Sequence, residues 1–271
     1  MRLRLTHTLL MIVLWMSSYV QAATTVKVGA YAPSSVVTFD ADGPPRGLVV
    51  DVVGELNRRQ QAFNFEIFRT ASKRRFEDYR LGRYDVILFE SLNWGWDAMD
   101  VEATEILLTD EEVYVALDKP GRDQSFFDNV AERRLLTMLG YHYGFADFDA
   151  DEERLAKRFN IEMSSSQQRN LALILADRPS VAEVAVFPRS FLRLFQEARP
   201  EVAEKLLISD KPDQIYPLRG MLRPGHDFTV EQLEALVREM IDDGTYGAIV
   251  KRYGKSVPET LINEIPSKTA R

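Results

Sequence analysis

Residues 86–89, Val-Ile-Leu-Phe, form an unbroken apolar run that constrains the fold of this chain more than any other short segment. A strand with one face in water alternates apolar and polar side chains, whereas a run without alternation is typical of a strand that is buried on both faces. Such a strand needs a layer of helices on each side of its sheet. The run therefore predicts a layered α/β domain.

The segments before this run supply the other elements of such a domain. Two strands are predicted from alternating apolar residues, the first at Val26, Val28 and Ala30 and the second at Phe63, Phe65 and Ile67. Between them, a predicted helix has an apolar stripe of Leu48, Val49, Val52, Val53 and Leu56. A second predicted helix follows and contains Phe76 and Tyr79. Ser72 is the predicted N-cap of the second helix, and Gly82 its predicted end. This order predicts a parallel sheet covered by helices.

The C-terminal part of the chain predicts two packed helices. Its apolar residues recur at helical spacing, first at Leu233, Leu236, Val237, Met240 and Ile241 and then at Tyr246, Ile249, Val250 and Tyr253. Thr229 and Gln232 have the spacing of a capping box, which predicts the start of the first helix. We expect Gly244 to end that helix in a left-handed conformation and Thr245 to cap the second one.

The first 22 residues have the pattern of a secretory signal peptide. Arg2 and Arg4 precede an apolar core at residues 9–16, and small residues before a site after Ala22 suit a signal peptidase. The alternative is an uncleaved N-terminal anchor. The sequence contains no cysteine, which excludes disulfides, thiol catalysis and a lipid-bearing cysteine. We therefore expect a freely diffusing periplasmic protein.

The charge balance of the mature chain excludes some classes of partner. The whole sequence has 34 basic and 41 acidic residues, and removal of Arg2 and Arg4 with the signal leaves 32 against 41, a formal charge of −9. Nucleic acids and anionic lipids bind basic surfaces. A nucleic-acid partner is therefore not expected.

Three separated blocks of the sequence resemble one known family. They are GLVVDVVGELNRR at residues 47–59, RFEDYRLGRYDVILF at residues 75–89 and MIDDGTYGAIVKRYG at residues 240–254. In order and spacing they are similar to family 3 bacterial extracellular solute-binding proteins, the amino-acid receptors of ABC importers. The resemblance implies a type II periplasmic binding protein fold, a two-lobed clamshell with two parallel-type sheets flanked by helices.

The middle of the chain repeats the α/β alternation. Strand patterns at residues 135–139, 161 and 181–186 alternate with helix patterns through Leu155 and Phe159 and through Leu171, Ile174 and Leu175. The resemblance implies that residues 23–118 and 219–271 form the first lobe, that residues 119–218 form an inserted second lobe, and that ligand binds between them. Ligands of open α/β sheets bind beyond the carboxyl ends of the strands, and hinge closure buries them.

Several residues at the predicted strand ends are candidate ligand contacts. The resemblance implies that Tyr31 lies where the family places an aromatic ring against the ligand. It also implies that the loop from Gly140 to Gly144 binds carboxylate through backbone N–H groups, with Tyr141 and His142 as side-chain contacts. The alternatives are that Tyr31 belongs to the core and that His142 is structural.

The segment after residues 86–89 departs from the family pattern. The family usually has an arginine there that binds the ligand's α-carboxylate, but this chain has no basic residue between Glu90 and Lys119. Glu90, Trp94 and Asp97 are instead the ingredients of an aromatic cage for a cation, such as a polyamine or a quaternary ammonium. The alternative for Trp94 and its neighbour Trp96 is packing against the lobe or a partner.

The second charged anchor of the family is also missing. The resemblance implies an aspartate after the penultimate strand of the second lobe, where this chain has Pro188 followed by Arg189. Arg189 or Arg219 could hold an anion instead. A standard amino-acid receptor is therefore doubtful from the sequence.

The sequence predicts reversible capture of a small polar solute, with a membrane permease as the partner of a monomeric protein. The alternative is a regulatory protein that signals to a membrane sensor. A third possibility is an enzyme on the same scaffold, because the fold also hosts cyclohexadienyl dehydratases. No nucleophile motif or phosphate loop supports that possibility, and we expect no cofactor and no metal.

Overall fold

A computed structural model describes residues 23–31, 36–39 and 43–263 of the chain. The predicted signal peptide at residues 1–22 lies outside the described residues. Within them, no helix has the length and apolar character that are needed to cross a membrane.

The described chain contains nine strands and nine α-helices. The strands are β1 (Thr24–Tyr31), β2 (Phe63–Thr70), β3 (Val86–Glu90), β4 (Glu102–Ala103), β5 (Leu108–Leu117), β6 (Leu135–Met138), β7 (Ile161–Ser164), β8 (Val184–Pro188) and β9 (Leu206–Leu222). The helices are α1 (Leu48–Arg59), α2 (Arg75–Arg80), α3 (Glu152–Arg158), α4 (Gln167–Leu175), α5 (Arg189–Ala198), α6 (Pro200–Ala203), α7 (Val230–Asp242), α8 (Thr245–Arg252) and α9 (Glu259–Asn263).

The strands pair in the order β2-β1-β3-β9-β5-β8-β6-β7, and β4 pairs with β9. β1 is parallel to β2 and β3, and β6 is parallel to β7 and β8. The two parallel trios confirm the predicted parallel sheets. We call the part built on β1 to β3 with α1, α2, α7 and α8 the first lobe, and the part built on β6 to β8 with α3 to α6 the second lobe.

Two long antiparallel strands, β5 and β9, join the lobes and were not predicted. Leu108 packs in the core of the first lobe, whereas Val113 and Val115 further along the same strand pack in the second. On β9, Leu206 lies in the second core and Leu218 in the first. Both strands therefore cross between the lobes.

The apolar stripe predicted for α1 is confirmed, since all five of its residues are buried in the first core together with Leu233 and Val237 of α7 and Tyr246 of α8. This packing places the C-terminal helices against the first lobe. Burial of an aliphatic or aromatic side chain of this size contributes about 1.5–3 kcal/mol.

The predicted helix boundaries are confirmed in part. Thr229 and Gln232 form the capping box of α7, and Gly244 has a left-handed φ of 80°. Ser72 is not a cap, because α2 begins three residues later, at Arg75. Thr245 does not cap α8 either: it is the first helical residue, and its Oγ1 accepts a hydrogen bond from Arg59.

The end of β3 has an irregular backbone. Phe89 has a φ of 62°, and the pairing of β3 with β9 shifts register between Leu88 and Glu90. A side chain with a Cβ is strained in this region of φ, and such residues cluster at functional sites. The irregularity lies where the first lobe meets the second.

Candidate functional site

A cavity of about 50 Å³ lies between the two lobes. Its wall is formed by Tyr31, Val36, Arg75, Phe89, Trp94, Glu112, Gly140, Tyr141, His142, Pro188, Gln214, Tyr216, Leu218 and Lys255. Residues from the ends of β1, β3, β6 and β8 line it together with residues from the two crossing strands. The cavity therefore occupies the position expected for a ligand of this sheet arrangement.

The two lobes touch at the mouth of this cavity. The rings of Trp94 and His142 are stacked, with centroids 6.4 Å apart and planes 15° apart. Lys73 of the first lobe forms an ion pair with Glu152 of the second. A second, open cavity of about 400 Å³ lies between Lys73 and Glu152 and is also lined by Arg75 and His142. The structure therefore represents a closed form with a small inner and a larger outer cavity.

Several aromatic rings line the inner cavity. The ring centroids of Trp94 and Tyr216 lie 5.3 Å apart, and Tyr31 and Tyr141 line the same space. Burial raises the pKa of the Tyr141 and Tyr216 hydroxyls well above the usual value, with nearby carboxylates acting in the same direction. The phenols are therefore neutral. The electron-rich ring faces favour a cation over an anion.

Arg75 and Glu90 form an ion pair that is almost entirely buried, with 3% and 2% of their side chains exposed. Nε of Arg75 donates to Oε2 of Glu90 at 3.1 Å, and its Nη1 donates to the carbonyl of Ser72. The Tyr31 hydroxyl donates to Oε1 of Glu90 at 2.7 Å, and Nε1 of Trp96 donates to Oε2 at 2.5 Å. Both carboxylate oxygens of Glu90 therefore accept hydrogen bonds from residues of the first lobe.

Glu112 on β5 is only 3% exposed and lines the cavity. Its Oε2 has no hydrogen-bond partner within the described part of the chain. Burial raises the pKa of this carboxyl well above its usual value, and the neighbouring Asp110 and Asp213 raise it further. An orphaned buried acceptor costs about 1–3 kcal/mol, which a suitable ligand would recover.

Trp94 also has an unpartnered polar atom at this cavity. Its Nε1 is buried and has no acceptor among the residues that the structure describes. The indole N–H is a donor only. Among the described side chains of the wall, Glu112 therefore offers a free acceptor and Trp94 a free donor.

Lys255 reaches the cavity from the segment after α8. Its Nζ forms an ion pair with Asp110 and donates to Oγ of Ser190 at 2.9 Å. Ser190 in turn donates to Asp110 at 2.5 Å. The three side chains are buried. The charge of Lys255 is therefore neutralised by Asp110.

His142 is neutral at pH 7. Burial lowers the pKa of its imidazole to about 4, and the nearby charge of Arg75 lowers it too, against a smaller opposite effect of Asp149. The imidazole therefore adds no positive charge to the cavity wall.

The structure brings four of the seven predicted site residues together: Tyr31, Trp94, Tyr141 and His142 all line the cavity. The other three do not line it. Glu90 lies behind the wall in its pair with Arg75, Asp97 is exposed to solvent, and Arg189 pairs with Glu111 beside a different cavity. Trp96 is fully buried against Phe76 and Tyr79, in agreement with the alternative prediction that it packs against the lobe.

Five further polar, charged or aromatic residues line the cavity and were not predicted: Arg75, Glu112, Gln214, Tyr216 and Lys255. One signal for Glu112 is present in the sequence, because Asp110 and Glu112 are two residues apart and lie on one face of a strand. Within the described residues there is no group of three or more side chains suited to a metal ion.

Solved structures show which known proteins the chain is similar to. A Wolinella succinogenes protein assigned as the binding component of an ABC transporter and complexed with lysine has a TM-score of 0.65 at 16% identity, over 89% of this chain and 99% of that one. A histidine kinase sensor domain similar to periplasmic binding proteins has a TM-score of 0.64 at 16% identity, over 88% and 99%.

A third solved structure is an ancestral amino-acid-binding protein described as a precursor of cyclohexadienyl dehydratase. Its TM-score is 0.63 at 15% identity, over 85% of this chain and 96% of that one. No protein-family model and no curated protein matches the sequence. At these identities the similarity shows the fold, and the chain has the type II periplasmic binding protein fold that the three sequence blocks predicted.

Proposed function

We propose that this chain is an exported receptor that captures a small polar solute between its two lobes. The observation that carries the proposal is the inner cavity, where buried Oε2 of Glu112 and Nε1 of Trp94 both lack a partner among the described residues. Buried polar groups are almost always hydrogen-bonded. A solute that accepts from Trp94 and donates to Glu112 satisfies both atoms at once.

Capture would work by population shift. Trp94 belongs to the first lobe, while Tyr141 and His142 belong to the second, so a solute in the cavity contacts both lobes only when they are closed. A ligand that binds the closed form better than the open form increases the closed population. The open form would release the solute to a membrane protein.

The proposal includes the lobe division, the location and the partner. Residues 23–118 and 219–271 would form the first lobe and residues 119–218 the second, except near the crossings, where Val113 of β5 already packs in the second core and Leu218 of β9 in the first. The protein would act as a monomer in the periplasm, and a membrane permease would recognise its closed form. The similarity to a binding component of an ABC transporter supports this partner.

A second candidate function is that of a sensory domain that signals to a membrane receptor. The small size of the inner cavity favours it, because about 50 Å³ is far below the roughly 300–1,000 Å³ of pockets that hold drug-sized ligands. The fold similarity to a histidine kinase sensor domain supports it as well. The two functions share the solute-binding step and differ in the membrane partner.

A thermal-shift screen of residues 23–271 tests the shared step. The panel contains amino acids, polyamines, small primary amines, quaternary amines and small carboxylates. A ligand at 100 times its dissociation constant stabilises the folded state by about 2.7 kcal/mol. We expect stabilisation by at least one class.

Two variants show whether that stabilisation arises in the cavity. It should be lost in Trp94→Ala and retained in Ile215→Ala, because Ile215 is adjacent to Tyr216 on β9 but 61% exposed. Absence of stabilisation by every class, or equal stabilisation of both variants, would refute solute capture at this cavity.

A further inference from the structure

We infer that the solute is a small primary amine cation that carries a hydrogen-bond acceptor and no carboxylate. This inference rests on the proposed function and specifies its solute class. It follows from the charges that line the inner cavity, from its two unpartnered atoms and from its size.

The charge balance of the cavity wall leaves one acid unmatched. Among the described residues that line the cavity, those with a basic side chain other than histidine or with a carboxyl group are Arg75, Lys255 and Glu112. Arg75 is paired with Glu90, and Lys255 is paired with Asp110. Among these three described residues only Glu112 has no ion-pair partner, so an incoming cation would pair with its ionised form.

A solute carboxylate would meet an unfavourable wall. Two of the donor groups of Arg75 are already engaged, by Glu90 and by the carbonyl of Ser72. An anion would also lie near the carboxyls of Glu90 and Glu112 and against the faces of aromatic rings. Removal of a carboxylate from water without a free cationic partner is costly. The cavity therefore discriminates against amino acids.

The unpartnered atoms define the polar groups of the solute. Oε2 of Glu112 needs an N–H donor, which a primary amine has and a quaternary ammonium lacks. Nε1 of Trp94 needs an acceptor, such as a hydroxyl oxygen. The rings of Tyr141 and Tyr216 line the same cavity, and aromatic faces favour a cation.

The volume of the cavity favours a compact solute. At about 50 Å³ in the closed form it is far smaller than the roughly 300–1,000 Å³ of a drug-sized pocket. Ethanolamine has four heavy atoms, one ammonium and one hydroxyl. It is therefore the probe that matches the geometry.

Binding of such a cation would release a proton. Burial and the carboxyls of Asp110 and Asp213 raise the pKa of Glu112, while Lys255 lowers it. The neutral hydroxyls of Tyr141, Tyr143 and Tyr216 also lie near this carboxyl, on the loop after β6 and on β9. The carboxyl of Glu112 therefore holds its proton more tightly in the empty cavity than a free carboxyl does, and an ammonium beside it favours the ionised form.

Isothermal titration calorimetry of residues 23–271 tests the inference. The probes are ethanolamine, glycine, which replaces the hydroxymethyl group with a carboxylate, and ethylene glycol, which lacks the cation. Each is titrated at pH 7 in two buffers with different ionisation enthalpies. We expect saturable binding of ethanolamine with proton release to the buffer, and no binding of glycine or ethylene glycol.

Three variants locate the contacts. Glu112→Gln should weaken ethanolamine binding about 10- to 100-fold and abolish proton release, whereas Glu111→Gln should leave both unchanged because Glu111 pairs with Arg189 outside the cavity. Trp94→Phe keeps a ring but removes the donor. It should weaken ethanolamine binding while leaving ethylamine, which has no hydroxyl, unaffected.

The outcomes separate this inference from the proposed function. Binding of glycine or other amino acids without binding of amines would overturn the inference and leave solute capture intact. Amine binding that is insensitive to Glu112→Gln would also overturn it. Absence of binding by every solute in both the calorimetric and the thermal-shift experiments would overturn both proposals.

Discussion

The rings of Trp94 and His142 stack across the cleft between the two lobes, with centroids 6.4 Å apart and planes 15° apart. Trp94 also contacts Tyr216, so one continuous row of rings runs from the mouth of the cleft to the inner cavity. Burial and the nearby charge of Arg75 lower the pKa of His142 to about 4, so the imidazole in this stack is neutral at pH 7. Lobe closure and the electrostatics of the cavity therefore depend on the same side chains.

Arg75→Ala should be strongly destabilising. The substitution leaves the carboxylate of Glu90 buried without its cation, and removal of one partner of a buried pair costs about 3–5 kcal/mol. Urea unfolding measures the change. Arg80→Ala is the matched control, because Arg80 pairs with Glu77 on the exposed face of α2, and it should change stability by less than about 0.5 kcal/mol. Equal effects of the two substitutions would contradict the assigned role of the pair.

Gly144→Ala should destabilise the protein, whereas Gly54→Ala should stabilise it. A Cβ at Gly144 would collide with the backbone carbonyl of Asp213, and such overpacking costs about 1–3 kcal/mol. A Cβ at Gly54, in the middle of α1, meets no atom within 4 Å, and alanine is favoured over glycine there by about 1 kcal/mol. Thermal denaturation of both variants measures the difference. A stable Gly144→Ala variant would show that Gly144 does not lie against the backbone of Asp213 on β9.

Glu112→Gln should change the pH dependence of stability. The carboxyl of Glu112 has a raised pKa in the folded state, so its contribution to stability is full below its unfolded value of about 4.5 and is lost as pH rises above it. The glutamine cannot titrate. The stability of the parent protein minus that of the variant should therefore decrease from pH 5 to pH 8 in the absence of solute. A difference that stays constant over this range would mean that Glu112 is ionised in the empty cavity.

His142→Gln should also change the pH dependence of stability, but here the parent protein should lose stability relative to the variant as the pH falls. The pKa of His142 is lowered from 6.5 to about 4, so its contribution to stability is present above pH 6.5 and is lost as pH falls toward 4. The parent protein should lose stability relative to the variant between pH 6.5 and pH 4. Equilibrium unfolding at several pH values in this window tests the prediction. Parallel pH profiles for the two proteins would rule out a buried neutral imidazole.

The sequence predicted the elements that follow from local periodicity. The stripe of α1, the strand at β3 and the capping box of α7 each depend on residues within a few positions of one another, and each was confirmed. The crossing strands were missed because their apolar pattern is interrupted, in β5 by Asp110, Glu111 and Glu112 and in β9 by two prolines. A run of three acids is typical of a solvated surface, and only tertiary packing buries two of them.

The sequence predicted those cavity residues that lie at or just after the end of a strand. The carboxyl ends of parallel strands meet at one edge of a sheet. The residues at or just after these ends are Tyr31, Trp94, Tyr141 and His142. The charge pairs were not predictable, since Arg75 meets Glu90 across 15 positions and Lys255 meets Asp110 across 145. Glu90 was therefore expected to bind ligand, although its carboxylate is already paired with Arg75.

The most direct test of solute capture by closure is the distance between the lobes. The chain has no cysteine, so cysteines introduced at Glu77 on α2 and Lys157 on α3, both exposed, accept spin labels without competing thiols. Double electron–electron resonance compares the labelled protein with and without a pooled mixture of amino acids and small amines. We expect the pool to shorten and narrow the distance distribution, and Trp94→Ala to prevent the change. An identical distribution with and without the pool would contradict capture by lobe closure.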